Sequence, residues 1–336
     1  MRESIPGWQK ILAEGFTSAN ALLSFLQLPI HCASDEAELQ FKTRVPRGFA
    51  SRMQRACPND PLLLQVLAAD KELDSHLGFV DDPLAEVVAN PLAGLIHKYH
   101  GRVLLTVTGA CAVHCRYCFR RHFPYENNNP GRLGWQPVID YIAADKAIHE
   151  VILSGGDPLL ATDKVLKPLL TELAGIPHLQ TLRIHTRIPV VLPERIDEGL
   201  LQLLSDNRLQ KVVVLHSNHP QELDDSVADA CRALRQIGCH LLNQSVLLAG
   251  VNDEAQTLAV LSERLFAMGV LPYYLHLLDK VQGAQHFDVP LNKALAIFKA
   301  LQAQLPGYLV PRLVREEAGK TNKTLITWDV DKFGDQ

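Results

Sequence analysis

The sequence predicts an α/β fold in which a parallel sheet, with helices connecting its strands, follows a helical N-terminal region. Two observations support this prediction. From Arg102 onward, short apolar runs of strand length alternate six times with longer amphipathic segments, and before about Pro91 the pattern is mixed and mainly helical. The chain has 336 residues, of which 47% are hydrophobic and 21% charged, so it can form one large domain with a sizeable core.

The N-terminal region is predicted to end near residue 95. Helical patterns near 8–25 and 61–77 lie on either side of a polar segment, Asp35–Gln40. We therefore expect residues 1–95 to form a mainly helical region, and residues 96–336 to form the sheet domain with a C-terminal segment.

The order of the remaining elements specifies a parallel sheet with helical crossovers. The predicted strands are 103–107, 150–153, 181–184, 211–215, 241–247 and 271–277. The predicted helices are 136–147, 164–173, 196–204, 227–237, 255–268 and 291–304. A further apolar run at 309–314 and a tail at 325–328 close the chain. An open doubly wound sheet and a barrel both satisfy this order, and in both the loops after the strands carry the chemistry.

The composition excludes several classes of function. With 33 Lys and Arg against 37 Asp and Glu, the net charge is −4, which gives no basis for bulk nucleic-acid binding. The start of the chain lacks a secretory signal pattern, and no apolar run approaches the roughly 18 residues of a membrane span. Seven cysteines in a long chain favour reduced thiols over a disulfide framework. We expect a soluble, cytoplasmic protein with no membrane partner.

A cysteine motif follows the first predicted strand. Cys111, Cys115 and Cys118 have C-x3-C-x2-C spacing on a loop opened by Gly109. Three thiolates so close together can surround one face of a four-iron cluster and leave one iron open for another ligand. A zinc knuckle with His114 as fourth ligand is the alternative, but the usual second ligand pair does not appear further along the chain.

This motif, with Tyr117 before the last cysteine, resembles the signature of the radical S-adenosylmethionine enzymes. The resemblance implies a partial (βα)6 barrel, similar to a TIM barrel, with the cluster loop after its first strand. It also implies that Cys111, Cys115 and Cys118 hold a 4Fe–4S cluster. The open iron of that cluster would bind S-adenosylmethionine and cleave it to a 5′-deoxyadenosyl radical.

Further residues are implied by the same resemblance as contacts of S-adenosylmethionine. The stretch SGGDP after the second strand resembles the glycine-rich segment of the family, since paired glycines allow the backbone to approach a ligand closely. The implied contacts are Tyr117, Gly155, Gly156, Asp157, His216 and Gln244.

Across residues 41–327 the chain resembles lysine 2,3-aminomutase, a radical enzyme that also uses pyridoxal phosphate. The resemblance is carried by RVP at 44–46, CFRR at 118–121, LSGGD at 153–157, TRIPVVLP at 186–193, NHP at 218–220, NQSVLL at 243–248 and AGKT at 318–321. It implies that Lys320 forms the Schiff base with pyridoxal phosphate, with Lys323 as the fallback nucleophile. The phosphate contacts implied are Lys98, Tyr99 and Arg187.

The substrate contacts implied by this resemblance have opposite charges. Arg120 matches the arginine that binds the substrate carboxylate, and Asp279 matches an aspartate that binds the distal ammonium of lysine. The second aspartate of the family does not appear before Lys320, where Glu316 and Glu317 are the candidate replacements.

The expected activity is therefore that of an isomerase, a radical and pyridoxal-phosphate-dependent aminomutase that converts L-α-lysine to β-lysine. The chain is most similar to the short bacterial subgroup that makes the R form for modification of translation elongation factor P. That resemblance implies a functional link to elongation factor P and its lysyl-tRNA-synthetase-like ligase, and an electron donor such as flavodoxin. No direct nucleic-acid partner is expected.

Two alternatives remain open from the sequence. One is an aminomutase for another amino acid such as glutamate. The other is a non-catalytic iron–sulfur or zinc module, in which the basic run Arg116, Arg120, Arg121 and His122 would bind RNA or another anionic partner.

Overall fold

A computed structural model describes residues 7–126, 128 and 134–327 of the chain. Its strands are β1 (Leu95–Tyr99), β2 (Arg102–Thr108), β3 (Glu150–Gly155), β4 (Thr181–Thr186), β5 (Gln210–His216), β6 (His240–Val246), β7 (Leu271–His276), β8 (Arg312–Arg315) and β9 (Thr324–Leu325). Its N-terminal helices are α1 (Gly7–Ala13), α2 (Ala19–Phe25), α3 (Asp35–Gln40), α4 (Arg47–Ser51) and α5 (Pro61–Leu64). The later helices are α6 (Gln136–Ala144), α7 (Asp163–Gly175), α8 (Ile188–Val191), α9 (Glu198–Ser205), α10 (Asp225–Gln236), α11 (Ala255–Ala267) and α12 (Leu291–Gln304).

The described strands form one sheet in sequence order, from β1 to β9. Neighbouring strands from β2 to β8 are parallel, whereas β1 and β9 pair antiparallel at the two edges. Side chains from all nine of these strands line a single cavity, so the sheet curls around one space. Six parallel strands, β2 to β7, are each followed by a helix. This confirms the predicted partial (βα)6 barrel with a helical N-terminal region and decides against the open doubly wound sheet.

The strongly periodic segments were predicted with the most accurate bounds. The helix predicted at 291–304 is α12, and each of the six predicted strands overlaps its observed strand within two residues at either end. Acidic residues fix two helix starts: Asp197 accepts a hydrogen bond from Leu200 N, and Asp224 accepts one from Val227 N.

The N-terminal predictions were too long. The helix expected over 8–25 is two helices, because Ser18 caps the start of α2 through its side chain. The helix expected over 61–77 ends at Leu64, and only a 3₁₀ turn at Asp70–Glu72 follows. Strand β1 and helix α8 were not predicted, and residue 328 of the predicted tail lies outside the described residues.

The N-terminal helices share a hydrophobic core with the barrel. Leu22, Phe49 and Leu63 belong to the same buried cluster as Leu105 and Ile184 of strands β2 and β4. The helices therefore cover one side of the barrel, while the domain boundary at residue 95 stays a prediction. Among the described helices, none combines the length and the apolar character that a membrane crossing needs.

Candidate active site

The barrel encloses a cavity of about 790 Å³, within the size range of ligand pockets. Every site residue predicted from the sequence lines this cavity, with the exception of Lys320. The lining carries eight Lys and Arg side chains but only four Asp and Glu side chains, so the cavity favours anionic groups.

The cysteine loop lies between β2 and the N-terminal region, which holds it from outside. The guanidinium of Arg116, fully buried, makes an ion pair with Glu72 at 2.6 Å, and Arg121 pairs with the same carboxylate at 2.9 Å. The ring of His114 stacks on Phe41, and its Nδ1 lies 2.7 Å from the carbonyl of Lys42.

These contacts correct one alternative reading of the sequence. Arg116, Arg120 and Arg121 do not form a basic surface patch, because their guanidinium groups are buried against Glu72 and Glu86. No group of three or more His, Cys, Asp or Glu side chains in the described part of the chain is arranged to hold a single metal ion.

The three cysteines of the loop are free thiols and all face the cavity. Burial and, after it, the neighbouring Cys115 raise the pKa of Cys118 to about 11. Burial and the other two cysteines also raise the pKa of Cys111. Thiols that oppose one another's ionisation become thiolates when a cationic metal centre replaces their protons. The donor set therefore fits an iron–sulfur cluster.

Gly155 and Gly156 are glycines because the end of β3 passes very close to the cysteine loop. A Cβ on Gly156 would lie 2.4 Å from the carbonyl oxygen of Ala110, and one on Gly155 would lie 2.6 Å from that of Thr108. Gly155 also has a φ of 116°, which other residues rarely adopt. The two glycines thus bring the backbone after β3 against the loop that carries the cysteines.

The carboxylate of Asp157 ties the end of β3 to the end of β4. It accepts hydrogen bonds from Thr186 Oγ1 and from the backbone N–H of Arg187, each at 2.7 Å. Burial raises the pKa of Asp157 to about 6, against the lowering effect of these hydrogen bonds. The hydrogen bonds described for the Asp157 carboxylate thus come from other residues of the chain, and they fix the position of β3 relative to β4.

Arg187, Tyr117 and His216 meet at the cysteine end of the cavity. Arg187 Nη1 lies 2.8 Å from Cys115 Sγ and 3.0 Å from the hydroxyl of Tyr117, which lies 2.8 Å from His216 Nε2. Burial lowers the pKa of His216 to about 3, so its imidazole is neutral. Gln244 of β6 lies opposite His216 of β5 in the sheet register and faces the same cavity.

This placement separates Arg187 from the other residues predicted to contact a phosphate. The described hydrogen bonds of its guanidinium reach Cys115, Tyr117, Gln65 and Glu222. Lys98 and Tyr99 instead make their hydrogen bonds to Glu86 and Glu316.

Arg120 is fixed by a buried carboxylate that sequence reasoning missed. Its Nε and Nη2 donate to Glu86 at 2.6 and 2.9 Å, and its Nη1 donates to Ser154 Oγ at 3.0 Å. Glu86 also pairs with Lys98 at 3.3 Å. One carboxylate therefore connects the predicted carboxylate-binding arginine to a predicted phosphate contact.

Glu316 is the centre of the opposite end of the cavity. It accepts a hydrogen bond from the hydroxyl of Tyr99 at 3.0 Å and makes ion pairs with Lys98, at 3.5 Å, and with Lys323. Although burial opposes ionisation, Lys323 and Lys98 lower the pKa of Glu316 to about 2. Of the two candidate replacements for the second family aspartate, Glu316 faces the cavity, whereas Glu317 accepts from Thr324 Oγ1.

The two candidate lysines differ in position. Strands β8 and β9 pair antiparallel, with Arg315 opposite Thr324, so Lys323 lies beside Glu316 at the base of this hairpin. Lys320 lies in the connecting turn, after Gly319 with its φ of 77°, and its side chain is exposed. The structure brings Lys323, and not Lys320, into the cavity.

Asp279 faces the same end of the cavity from the loop after β7. Burial and, after it, the negative charge of Glu316 raise the pKa of Asp279 to about 7. Two carboxylates that repel each other in this way favour a cation between them.

Two carboxylates and one amide that hold the site residues could not be recognised from the sequence. Glu86, Glu222 and Gln65 lie in connecting segments without a motif, and they reach their partners from 34 to 157 positions away. Only the fold brings Glu86 into the cavity lining and places Glu222 and Gln65 against Arg187.

The fold and the cysteine site define the class of the protein. Residues 105–261 match the Radical SAM superfamily, whose enzymes bind a 4Fe–4S cluster and S-adenosylmethionine. The chain is 51% identical to L-lysine 2,3-aminomutase of Haemophilus influenzae over 95% of both chains. It is 49% identical to L-lysine 2,3-aminomutase of Escherichia coli over 94% of this chain and 93% of the relative, and 43% identical to that of Buchnera aphidicola over 95% of both. The chain belongs to the L-lysine 2,3-aminomutase family, a family of isomerases.

Proposed function

We propose that this protein is a lysine 2,3-aminomutase that converts L-α-lysine to β-lysine with a 4Fe–4S cluster, S-adenosylmethionine and pyridoxal phosphate. One observation carries the proposal. In a chain of this family, a single cavity is lined by three cysteines and by a lysine that is ion-paired with the carboxylate of Glu316. When bound, the cluster and S-adenosylmethionine supply a carbon-centred radical, and pyridoxal phosphate supplies an electron sink.

Cys111, Cys115 and Cys118 are the proposed cluster ligands. Gly155, Gly156 and Asp157 shape the cavity wall beside them, where Tyr117, His216 and Gln244 are the proposed neighbours of S-adenosylmethionine. The neutral imidazole of His216 suits this position because it offers a hydrogen bond without adding a charge.

Lys323, and not Lys320, is the proposed attachment point for pyridoxal phosphate. Its Nζ faces the cavity and is paired with Glu316, which also holds the hydroxyl of Tyr99 and the ammonium of Lys98. Glu316 thus orients the lysine amine, and Lys98 and Tyr99 are close enough to contribute a cation and a hydroxyl to a phosphate.

The substrate is proposed to lie between Arg120 and the pair Asp279 and Glu316. Arg120 would bind the carboxylate next to the reacting carbon, and the two acidic side chains would bind the distal ammonium of lysine. Glutamate would place a negative charge against these acidic side chains, so the charge pattern favours lysine. The curved sheet would hold both ends of the substrate and so orient the reacting carbons.

The proposal extends to the use of the product. By its resemblance to the short bacterial subgroup, the protein would make the R form of β-lysine for modification of translation elongation factor P. A separate lysyl-tRNA-synthetase-like ligase would transfer it, and a donor such as flavodoxin would supply electrons. All seven cysteines are free, which is in keeping with a reducing compartment such as the cytoplasm.

An anaerobic assay of reconstituted, reduced protein tests the proposal. L-Lysine and L-glutamate are supplied in parallel with both organic cofactors, and β-amino acids are detected by chiral chromatography. We expect β-lysine from lysine and no product from glutamate. Protein that holds both the cluster and pyridoxal phosphate but makes no β-lysine would contradict the lysine assignment, and a β-amino acid from glutamate would favour the alternative substrate.

A further inference from the structure

We propose that Arg187 raises the reduction potential of the iron–sulfur cluster by donating a hydrogen bond to the sulfur of Cys115, and that Glu222 limits this effect. The inference rests on the proposed function in one respect, the assignment of Cys115 as a cluster ligand. It gives Arg187 a positioning role at the cluster and not the phosphate contact that the sequence implied.

The geometry fixes the direction of the hydrogen bond to sulfur. Nη1 of Arg187 lies 2.8 Å from Cys115 Sγ and 3.0 Å from the hydroxyl of Tyr117. Nη2 lies 2.7 Å from Gln65 Oε1 and 3.0 Å from Glu222 Oε2. Four contacts on the two terminal nitrogens hold the planar guanidinium in one orientation, with one N–H directed at the sulfur.

The partners of Arg187 are themselves held. The carboxylate of Glu222 accepts hydrogen bonds from Gln65 Nε2 and from the backbone N–H of Asn218, each at 3.0 Å, and it is fully buried. The hydroxyl of Tyr117 accepts from Asn218 Nδ2 at 2.7 Å. The arginine therefore cannot leave the sulfur without breaking a buried network.

Hydrogen bonds to sulfur and nearby charges are two of the means by which proteins set the potential of such clusters. The reduced cluster carries one more negative charge than the oxidised cluster. A cation beside a ligand sulfur therefore stabilises the reduced form more and raises the potential. Glu222 carries a negative charge next to this cation and therefore lowers the reduction potential. Solvent screens neither charge well, because Arg187 is 6% and Glu222 0% exposed.

The test is a redox titration of the reconstituted cluster, without S-adenosylmethionine, followed by electron paramagnetic resonance. We expect Glu222→Gln to shift the midpoint potential to more positive values. We expect Arg187→Met to shift it to more negative values, with the double variant R187M/E222Q in between. Opposite signs from two members of one buried pair are the specific prediction, since a general loss of packing would not reverse sign.

Arg195→Met is the matched control. Arg195 is also fully buried and ion-paired, with Asp163 and Asp197, and its described hydrogen bonds do not reach the cysteine loop. Its removal should leave the potential unchanged. If Arg187→Met does not assemble a cluster, Glu222→Gln and Arg187→Lys carry the test, because both keep a positive charge at this position.

A midpoint potential in Glu222→Gln that equals or falls below the wild-type value, or one in Arg187→Met that equals or exceeds it, would overturn the inference. Failure of the underlying assignment gives a different result. A normal four-iron cluster in Cys115→Ala, measured by iron and sulfide content, would contradict Cys115 as a ligand and with it the proposed function.

Discussion

The two ends of the cavity are held together in different ways. At the cysteine end, Arg187 and Glu222 lie in a network of short hydrogen bonds, and the carboxylate is 0% exposed. At the other end, Glu316 and Lys323 pair side chains that are 15% and 22% exposed and face the cavity. A buried ion pair suits a metal centre that stays bound, whereas a more exposed ion pair can exchange one charged partner for another as ligands enter and leave.

The largest expected effect is a difference in enzyme activity between variants of two lysines, Lys323 beside Glu316 and Lys320 in the nearby turn. Lys323→Ala should abolish β-lysine formation, because it removes the proposed attachment point for pyridoxal phosphate. The other lysine in the described cavity lining is Lys98 of β1, which is assigned to the phosphate. Lys320→Ala, in the exposed turn, should leave activity within about twofold of the wild type. The measurement is product formation, together with borohydride reduction and mass spectrometry to identify the lysine that carries pyridoxal phosphate. A label on Lys320 would contradict the assignment.

The next effect concerns the substrate ammonium at the Glu316 end of the cavity. Asp279→Asn and Glu316→Gln should each raise KM for lysine by about 10- to 100-fold, because each removes one charged hydrogen bond to the ammonium. Glu317→Gln is the matched control, since Glu317 bonds Thr324 outside the cavity, and its KM should not change. Steady-state kinetics at saturating cofactors provide the values. Equal KM for all three variants would remove the ammonium site from this end.

A glycine substitution tests the cysteine end of the cavity. Gly156→Ala places a Cβ 2.4 Å from the backbone oxygen of Ala110, so it should cost about 1–3 kcal/mol of unfolding free energy and reduce iron incorporation. Gly175→Ala, at the end of α7, meets no atom within 4 Å and should change stability by no more than about 0.5 kcal/mol. Urea unfolding and iron analysis give both quantities. Normal iron content in Gly156→Ala would show that the close approach is not needed.

The smallest expected effect is a pH dependence of KM for lysine, which arises from Asp279 at the Glu316 end of the cavity. The pKa of Asp279 is raised to about 7, so this carboxyl is ionised above pH 7 and neutral below it. Because only the ionised form attracts an ammonium, KM for lysine should rise about tenfold from pH 8 to pH 6. Glu316, with its pKa lowered to about 2, stays ionised throughout. The profile should flatten in Asp279→Asn, and an unchanged profile there would assign the titration to another group.

The sequence predicted best what depends on neighbours along the chain. The alternation of strands and helices follows from local periodicity, and the three proposed cysteine ligands lie within eight residues of each other. It predicted poorly what depends on distant segments. Glu86 reaches Arg120 across 34 positions, and Glu222 reaches Gln65 across 157.

The choice between Lys320 and Lys323 shows that motif matching can be insufficient even for residues close together in the sequence. The two residues are only three positions apart, and motif matching favoured Lys320 because of the glycine before it. Which of them reaches the cavity depends on the pairing of β8 with β9, and β9 has only two residues. Hairpin register is set by long-range packing as well as by local sequence, so the motif could not decide it.

The network between the N-terminal region and the barrel has a consequence for how the protein matures. Gln65 and the cysteine loop are synthesised before Glu222, yet the loop has its final surroundings only when the turn after β5 is in place. Contacts between such distant positions form late, since the intervening chain must be ordered first. The three thiols therefore reach their final surroundings only after about the first two thirds of the polypeptide, up to Glu222, has been synthesised.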